Sequence, residues 1–440
     1  MFVAIDDTDS PDRMCTTYLV LRMIEESKLD VIGNPRLVRL NPNIRFKTRG
    51  NGAVVLHLGH GTGRSNRIGD IHGKPIMSYE RETGSPDASD LMEIARNLVE
   101  EYSVTDYYST HPGIVISDHP LDQNFYWRAL EEEIPVPDAE RFIEDSGASF
   151  YKMKEGHGIV GSAAAMAWPS ERYTYEMLAY RYPTPLAMQK DEKMMLASMA
   201  DRFAGTFNNV DLRNGYPAIF PHPKTPVIYG IRGFYQSSLF EASDAINEAG
   251  HIDYEGRIVF VTNQGTDDHI IQDPGDVEDL HSYALTGQVV SDPIAVPGGH
   301  YFLKFSYRNR YITAAAFEPT KEFRSVFSRL RSGDLVTFYG SYVNGNLNVE
   351  KMIVHTVAKI YRMENPVCKA CGVSTISKGQ SDFRCPKCGK RYRSRDFVEV
   401  PREINPGKYD VPVVARRHLS MPFEIEERFR MLSVADHPER

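Results

Sequence analysis

Two pairs of cysteines constrain the fold of this chain more than any other feature of its sequence. Cys368 and Cys371 are separated by two residues, as are Cys385 and Cys388, and thirteen residues lie between the pairs. A glycine follows each pair, which suits a tight turn. The spacing therefore predicts a structural Zn²⁺ held by four thiolates, with no coordination position left open for catalysis. Cysteines in such metal-binding pairs favour a protein of a reducing compartment over one with a disulfide framework. Accidental spacing is the alternative.

The charge distribution separates a basic C-terminal segment from a more acidic body. The 440-residue chain has a net charge of −8, but residues 359–418 contain fourteen Lys and Arg against six Asp and Glu. Such a segment favours contact with RNA phosphates. The cations near the second cysteine pair that we expect to contact the RNA backbone are Lys387, Lys390, Arg391, Arg393 and Arg395.

Hydropathy gives no sign of a membrane protein. No apolar run approaches the ~20 residues that a membrane-spanning helix needs. The first residues enter a strand pattern without the basic region of a secretory signal. We therefore expect a cytoplasmic protein, without a membrane association and without an obligate protein partner.

The first seventeen residues combine a short apolar strand with three carboxylates. Residues 2–5 favour a buried strand, and Asp6, Asp7 and Asp9 follow at its end. Carboxylate oxygens grouped in this way suit Mg²⁺, which keeps water or phosphate as its other ligands. Residues 15–17 then begin a predicted helix, where hydroxyls and free N–H groups favour phosphate. An acidic turn followed by ordinary hydroxyl capping is the alternative.

Two further segments offer cations to a phosphate. Lys47, Arg49 and Asn51 belong to a glycine-rich loop that precedes an apolar strand. Glycine lets the backbone approach an anion, and Arg binds phosphate through two donors. The loop is not a P-loop, because the GxxxxGK[ST] pattern is absent; a hairpin turn with solvated charges is the alternative. Arg232 stands between two glycines at a predicted strand end, where it suits a phosphate clamp or a surface ion pair.

The remaining segments outline the domain organisation. Residues 154–168 place small residues after a glycine-rich turn, which lets a helix lie close to a ligand or simply to another helix. The polar stretch at 59–90 favours a surface loop. From residue 279 five short strands, with a helix between the third and fourth, match the order of an OB-fold. In that segment we expect Arg308 and Arg310 to contact nucleic acid.

Taken together, the sequence resembles the archaeal isoleucine-tRNA 2-agmatinylcytidine synthetase family along nearly its whole length. The motifs that carry the resemblance are IDDTDS at 5–10, MCTTYL at 14–19, NPN at 41–43, KTRGNGA at 47–53 and PVIYGIRG at 226–233. The resemblance implies a multidomain α+β chain: an α/β kinase-like N-terminal domain with a ferredoxin-like domain, then an OB-fold β-barrel and a zinc ribbon. We expect the kinase-like domain at 1–60, completed by part of 150–200, the ferredoxin-like, agmatine-binding region at 61–275, the OB-fold at 280–360, the zinc ribbon at 361–400 and a C-terminal tail at 401–440.

The resemblance also implies an activity. The family uses ATP to condense agmatine with C2 of the wobble cytidine in the CAU anticodon of isoleucine tRNA, through phosphorylation of the cytidine, and the product reads AUA. It implies ATP, Mg²⁺ and structural Zn²⁺ as cofactors, and tRNA and agmatine as substrates. The expected catalytic residues are Asp6, Asp7, Asp9 and Thr17, the last by its position in the family's CTT motif.

Other site residues follow from the same resemblance combined with the residue types. The residues expected to bind ATP or phosphate are Thr8, Ser10, Thr16, Lys47, Arg49, Asn51 and Arg232. The residues expected to bind agmatine are Gly158, Gly161, Trp168, Tyr175 and Glu176.

Two other functions are compatible with these motifs. One is a non-catalytic protein that binds single-stranded nucleic acid through the OB-fold and the zinc ribbon. The other is a phosphotransferase that acts on another RNA or on a small molecule. ATP turnover distinguishes an enzyme from the non-catalytic binding protein. Incorporation of an amine into the tRNA distinguishes the synthetase from another phosphotransferase.

Overall fold

A computed structural model describes residues 1–45, 47, 50–182, 188–221 and 224–435, the side chains of 430–435 excepted. The chain forms two compact units, one made of Met1–Ala284, Gly340–Gly345 and Asp410–Arg440, the other of Leu285–Tyr339 and Asn346–Tyr409. The helices are α1 (Tyr18–Ser27), α2 (Ala88–Tyr102), α3 (Gln123–Glu131), α4 (Val136–Asp145), α5 (Gly158–Met166), α6 (Lys190–Ala200), α7 (Gln236–Ala249), α8 (Glu322–Phe327) and α9 (Phe423–Ala435).

Strands alternate with helices in the first part of the chain and dominate the second. Up to residue 272 the strands are β1 (Phe2–Asp6), β2 (Asp30–Ile32), β3 (Arg36–Arg39), β4 (Gly52–Gly59), β5 (Gly61–Ile71), β6 (Lys74–Glu82), β7 (Gly113–Ser117), β8 (Ser149–Lys152), β9 (Thr174–Tyr180), β10 (Val227–Gly233), β11 (Gly256–Thr262) and β12 (Ile270–Gln272). Beyond it they are β13 (Ser282–Val289), β14 (Ile294–Val296), β15 (His300–Tyr307), β16 (Arg310–Ala316), β17 (Leu335–Val343), β18 (Asn346–Thr356), β19 (Ile360–Glu364), β20 (Ile376–Gly379), β21 (Asp382–Arg384), β22 (Arg391–Tyr392), β23 (Asp396–Val400) and β24 (Gly407–Asp410).

Strand β1 occupies an interior position in an eleven-stranded sheet, between β4 and β7 and antiparallel to both. Successive side chains of a strand point to opposite faces. Val3 and Ile5 accordingly pack on one face, where α1 and α2 cover them, and Ala4 packs on the other face with α3, α4 and α5. Burial on both faces explains the continuous apolar run, and it fixes the point at which Asp6 leaves the sheet.

Strands β9, β10 and β11 continue the same sheet and carry a third core. Met177, Ile231 and Val259 pack there against helices α6 and α7. Strand β3 joins this part to the region of β1, because it pairs with both β4 and β11. Strands from distant parts of the sequence therefore belong to one sheet.

We expected a loop at 59–90 from its polar composition, and this prediction was wrong. The segment forms the long antiparallel hairpin β5–β6, in which Ile71 pairs with Lys74. The two connecting residues, His72 and Gly73, have φ angles of 48° and 74°, as a tight hairpin turn requires. Side chains in the first half of β5 face solvent, so the strand lacks the apolar pattern by which a strand is predicted.

A closed five-stranded barrel follows, which confirms the predicted order of strands and helix. Its strands run in the order β13, β17, β18, β16 and β15, and β15 closes the ring by pairing with β13. Helix α8 lies between the third and fourth strands of the chain order. Phe305 and Phe338 meet inside at a ring distance of 5.1 Å, so these aromatic side chains are core and not stacking surface.

The final segment, which we expected to be a C-terminal tail at 401–440, contains β24 and α9. Residues from Asp410 onward belong to the first compact unit. Their anchoring includes hydrogen bonds from Gly265 N to His418 O and from Asp267 N to Leu419 O, 2.8 and 2.9 Å long. Across the described ranges, no helix is long and apolar enough to cross a membrane.

Candidate active site

The chain turns sharply where β1 ends. Asp7 has a φ of 57°, in the left-handed region that Asp tolerates better than most residues. Its backbone N–H donates to Oδ1 of Asp6 at 2.7 Å, and its own Oδ2 accepts from the N–H of His111 at 2.8 Å. The turn thus fixes two carboxylates at the end of a buried strand. The burial of Asp6 and the charge of Asp7 raise the pKa of the Asp6 carboxyl well above its ordinary value.

The predicted hydroxyl-rich start of α1 lies against this turn. The Thr8 hydroxyl donates to the Thr16 hydroxyl at 3.0 Å, and both side chains are buried. Thr17 is the residue before α1, and its Oγ1 lies 3.0 Å from Sγ of Cys15. Thr16 and Thr17 therefore lie close to the acidic end of β1, from which only a few residues separate them in the sequence.

Helix α5 approaches the same strand end closely because it begins with small residues. A Cβ atom on Gly161 would lie 1.8 Å from Oδ2 of Asp6, and one on Gly158 would lie 2.4 Å from the backbone N of Gly113. Any larger residue at either position would displace the helix or its neighbours. The glycines thus serve the approach of α5 to the strands β1 and β7, whereas the sequence had suggested a ligand or another helix as the neighbour.

The glycine-rich loop at 50–52 holds an arginine that the sequence analysis did not single out. Arg39 pairs with Gly52 across β3 and β4, and Cβ atoms on Gly50 and Gly52 would lie 2.6 and 2.8 Å from its Nη1. The glycines therefore make room for a guanidinium group. Burial lowers the pKa of Arg39, and the charge of Glu176 opposes that effect.

Glu176 lies at the centre of a buried polar network. Arg232 is its partner across β9 and β10, and the Arg232 Nε atom lies 3.2 Å from Oε1 of Glu176. Nη2 of Arg39 lies 3.9 Å from Oε2, and the side-chain amide of Gln264 donates to the same oxygen. Arg232 thus forms an ion pair, as one of the predicted alternatives stated. The acid in this pair is buried, however, and both residues lie beside a cavity.

A cavity of about 350 Å³ brings these groups together. Ten of the predicted site residues line it: Asp6, Asp7, Asp9, Thr16, Thr17, Lys47, Asn51, Gly161, Glu176 and Arg232. Lys47 is exposed, and burial of part of its side chain together with the charge of Arg417 lowers its pKa. Carboxylates, hydroxyls and cations surround one space, which is the composition of a site for phosphate groups and their metal ion.

Several predicted site residues lie outside the cavity lining. Trp168 is packed in the core beside α5, and Tyr175 packs on the core of β9 to β11. Ser10 braces the turn after β1, since its Oγ accepts from Arg13 N at 3.0 Å. Thr8 donates a hydrogen bond to Thr16, and Gly158 lies against the backbone of Gly113. Arg49 lies outside the described residues.

Arg39 and His418 line the cavity and were missed by sequence analysis. Arg39 ends the short strand β3, whose two central residues are buried, and no pattern in the sequence indicated its pairing with Gly52. His418 comes from the C-terminal segment, and its Nδ1 lies 2.9 Å from Oε1 of Gln264. The charges of Arg39 and Arg232, with partial burial, lower the pKa of His418 well below its ordinary value.

The three aspartates do not form a compact ligand set by themselves. Among the described residues, two groups of three or more His, Cys, Asp or Glu have ligand atoms within 4.8 Å of one another. Neither group contains the three aspartates. One is His111, Glu155 and His157; the other is the cysteine set. Mg²⁺ usually takes one or two carboxylates and completes its shell with water and phosphate, so the aspartates fit it as partial ligands.

The four cysteines form the second set, as predicted. Sγ of Cys368 lies 3.6 Å from Sγ of Cys388, close to the separation of about 3.8 Å that a tetrahedron of about 2.3 Å Zn–S bonds requires. Gly372 and Gly389 have φ angles of 64° and 73°, so both turns use the left-handed region. The set fits one structural Zn²⁺.

The predicted RNA-contacting cations are exposed. This holds for both arginines of the barrel, at the turn between β15 and β16, and for the five around the second cysteine pair: Arg308, Arg310, Lys387, Lys390, Arg391, Arg393 and Arg395. The guanidinium of Arg308 lies over the ring of Tyr307 and that of Arg395 over the ring of Phe383, at 5.6 and 5.8 Å.

Three family models match the chain. The TiaS TCKD domain matches residues 2–155, the TiaS FLD domain residues 156–269, and the TiaS C-terminal zinc ribbon domain residues 365–404. A curated relative from Thermoplasma volcanium, the isoleucine-tRNA 2-agmatinylcytidine synthetase TiaS, is 56% identical over 98% of both chains.

Solved structures of the same kind superpose on nearly the whole chain. A complex of TiaS with its isoleucine tRNA and ATP is 34% identical, with a TM-score of 0.81 and coverage of 96% of both chains. A complex of TiaS with the same tRNA, AMPCPP and agmatine is 32% identical, with a TM-score of 0.79 and the same coverage.

The fold and the site define a multidomain α+β protein that combines a phosphate-type cavity, a closed barrel and a four-cysteine zinc ribbon. Its identity to full-length relatives is well above the level at which two chains share only a fold. The chain belongs to the TiaS family of isoleucine-tRNA 2-agmatinylcytidine synthetases.

Proposed function

We propose that this chain is an ATP-dependent ligase that condenses agmatine with C2 of the wobble cytidine of CAU-anticodon isoleucine tRNA. The observation that carries the proposal is the cavity at the end of β1, where Asp6, Asp7 and Thr17 face Lys47 and Arg39. Membership of the family adds the substrate class. A protein that only binds single-stranded nucleic acid would have no use for such a cavity, so that alternative is not favoured.

The chemistry requires activation of a poor leaving group. Oxygen O2 of cytosine leaves C2 far more readily after it has been phosphorylated, and the primary amine of agmatine then attacks C2. Phosphoryl transfer needs positioning and charge compensation more than covalent help from protein groups. The cavity offers both: hydroxyls at the start of α1, and the cations Arg39, Lys47 and Arg232.

Asp6, Asp7 and Asp9 would hold Mg²⁺ in this proposal. Their fit to a cation rests on their position together in the lining of one cavity, where their oxygens offer the hard ligands that Mg²⁺ prefers. When bound, Mg²⁺ supplies charge neutralisation for the phosphates. The residues themselves orient it: the Asp7 carboxylate is held by the N–H of His111 at 2.8 Å. Thr17 is the proposed acceptor of a phosphoryl group, as its position in the CTT motif implies.

The agmatine site belongs to the same proposal. Of the predicted agmatine-binding residues, Glu176 and Gly161 line the cavity. Agmatine carries two positive charges, and Glu176 is a buried acid in the cavity lining, paired with Arg39 and Arg232. Trp168, Tyr175 and Gly158 support the walls from the core, so we assign them packing in place of direct contact.

The finer domain labels are also proposed. We assign the kinase-like label to the region around β1 and the ferredoxin-like label to the region of β9 to β11. The sequence suggested a division at residue 60, whereas family models that divide between 155 and 156 support a later one. The barrel is assigned as an OB-fold, because its five strands carry a helix between the third and fourth. The exposed cations of barrel and ribbon would bind tRNA phosphates, and the target base would leave its stack to enter the cavity.

Incorporation of labelled agmatine tests the proposal. The protein is incubated with ¹⁴C-agmatine, ATP, Mg²⁺ and unmodified CAU-anticodon isoleucine tRNA, and acid-precipitable label is counted. We expect label in tRNA only when all components are present. ATP consumption with tRNA but no uptake of agmatine would support the rival phosphotransferase, and tRNA binding without ATP consumption would support a binding protein.

A further inference from the structure

His418 reaches the cavity from the C-terminal segment, and the proposed chemistry above does not use it. Its side chain is exposed on the cavity and its Nε2 atom lies beside Gly50, where a Cβ would be 3.3 Å away. The backbone around it is fixed, because its carbonyl accepts the N–H of Gly265 at 2.8 Å. The imidazole therefore has a fixed position on the wall of the cavity.

A chain of hydrogen bonds determines which imidazole nitrogen carries the proton. The side-chain nitrogen of Gln264 donates to Oε2 of Glu176, which leaves the amide oxygen of Gln264 facing His418. That oxygen can only accept, and it lies 2.9 Å from Nδ1. Nδ1 must therefore carry the proton, and in a neutral ring Nε2 then carries a lone pair.

The surrounding charges keep this ring neutral. Arg39 on β3 and Arg232 on β10 face it, and Glu176 on β9 is engaged with both arginines. The charge of Arg39 and the surrounding protein lower the pKa of His418 well below its ordinary value. The cavity thus presents an unprotonated nitrogen near neutral pH, beside cations that disfavour an ammonium ion and so favour a free amine.

We propose that Nε2 of His418 accepts the proton that the primary amine of agmatine releases when it attacks the activated cytidine, an inference that rests on the proposed function. The amine lone pair forms the bond to C2, the C2–O2 bond breaks, and phosphate leaves with O2 and the bonding electron pair. The nitrogen, which has gained positive charge, gives one proton to Nε2. General-base help of this kind contributes about 10²- to 10⁴-fold.

Two substitutions separate this role from a structural one. In His418→Asn the amide nitrogen takes the place of Nδ1 and keeps the bond to Gln264, but no atom stands at Nε2. In His418→Gln an amide oxygen near Nε2 accepts a hydrogen bond but takes no proton. For both variants we expect formation of the agmatine adduct to fall by roughly 10²-fold or more, a much larger loss than that of ATP-dependent ³²P transfer to tRNA without agmatine.

Each outcome decides the inference. Normal adduct formation by His418→Asn, or full recovery in His418→Gln, would overturn it, because a hydrogen-bond acceptor or a spacer would suffice. If both variants also lose phosphoryl transfer, ¹⁵N NMR of histidine-labelled wild-type protein decides: the Nδ1–H tautomer supports the role, and the Nε2–H tautomer or an imidazolium refutes it. If the wild-type protein incorporates no agmatine, the proposed function fails and this inference fails with it.

Discussion

Gly161 and Asp6 are so close that a Cβ atom on Gly161 would lie 1.8 Å from Oδ2 of Asp6. The carboxylate cannot simply move aside, because its other oxygen accepts the N–H of Asp7 at 2.7 Å. Helix α5 and the strand end that carries the aspartates are therefore shaped for each other.

We predict that Gly161→Ala lowers formation of the agmatine adduct by about 10²-fold, since displacement of a catalytic group by about 1 Å costs about that much. Gly275→Ala is the matched control, because a Cβ there would meet no atom within 4 Å. Steady-state adduct formation by both variants checks the prediction. Equal rates would show that the close approach has no catalytic role.

The carboxylate of Asp7 should be needed for chemistry and not for tRNA binding. Asn tolerates the left-handed φ of 57° at this position, so Asp7→Asn preserves the turn. We expect loss of ATP turnover with unchanged affinity for tRNA, and the same for Thr17→Val. Asp12→Asn is the control, since Asp12 belongs to the same loop but is exposed and lies outside the cavity lining. ATP hydrolysis and filter binding would be measured together; turnover by Asp7→Asn would refute its assignment.

Glu176 should stabilise the protein as well as shape the cavity. Its side chain is 4% exposed and lies 3.2 Å from Nε of Arg232, so Glu176→Gln leaves a partly buried guanidinium without its counter-charge. Breaking a buried pair costs roughly 3–5 kcal/mol. We expect a clearly lower melting temperature, measured by calorimetry, than for the exposed control Glu171→Gln. An unchanged melting temperature would mean that the pair contributes little.

Zinc content should follow the four-cysteine set alone. We predict about one zinc per chain by atomic emission, and its loss in Cys388→Ser, because three thiolates no longer close the tetrahedral site. Cys15→Ser retains the metal, since Cys15 lies beside Thr17 and not in the cysteine set. Zinc loss in Cys15→Ser would contradict this assignment.

The exposed cations of the ribbon should bind tRNA through phosphate charge. Arg393→Ala is expected to weaken binding and to reduce the slope of log K against log salt by about 1. Lys74→Ala removes an equally exposed cation from the β5–β6 turn, a segment with no proposed RNA contact, and should leave the slope unchanged. Titrations at several salt concentrations give both slopes, and identical slopes would argue against this surface.

Features with a strong local signal could be predicted from the sequence. The cysteine spacing dictates its own turns, and alternating strands with one helix are enough to indicate the barrel. The acidic end of β1 was evident for the same reason, because apolar residues buried on both faces stop abruptly at Asp6. The roles of these residues remain predictions.

Features that depend on pairing between distant segments could not be predicted. Strand β5 is a separate case: its partner β6 is its neighbour in the sequence, but its exposed side chains give no apolar pattern from which a strand could be predicted. Arg39 enters the cavity only because Gly52 is its partner on the next strand. His418 arrives from a segment 154 residues beyond its partner Gln264. No local pattern in the sequence reports such encounters.

Nucleoside mass spectrometry of the tRNA product shows whether this protein attaches agmatine to the wobble cytidine. Unmodified CAU-anticodon isoleucine tRNA is incubated with the protein, ATP, Mg²⁺ and agmatine, digested with a nuclease that isolates the anticodon fragment, and analysed for the mass of its wobble nucleoside. We predict a cytidine in which agmatine has replaced O2, formed only when ATP and agmatine are both present. An unmodified wobble cytidine, with tRNA binding confirmed in the same sample, would contradict the account.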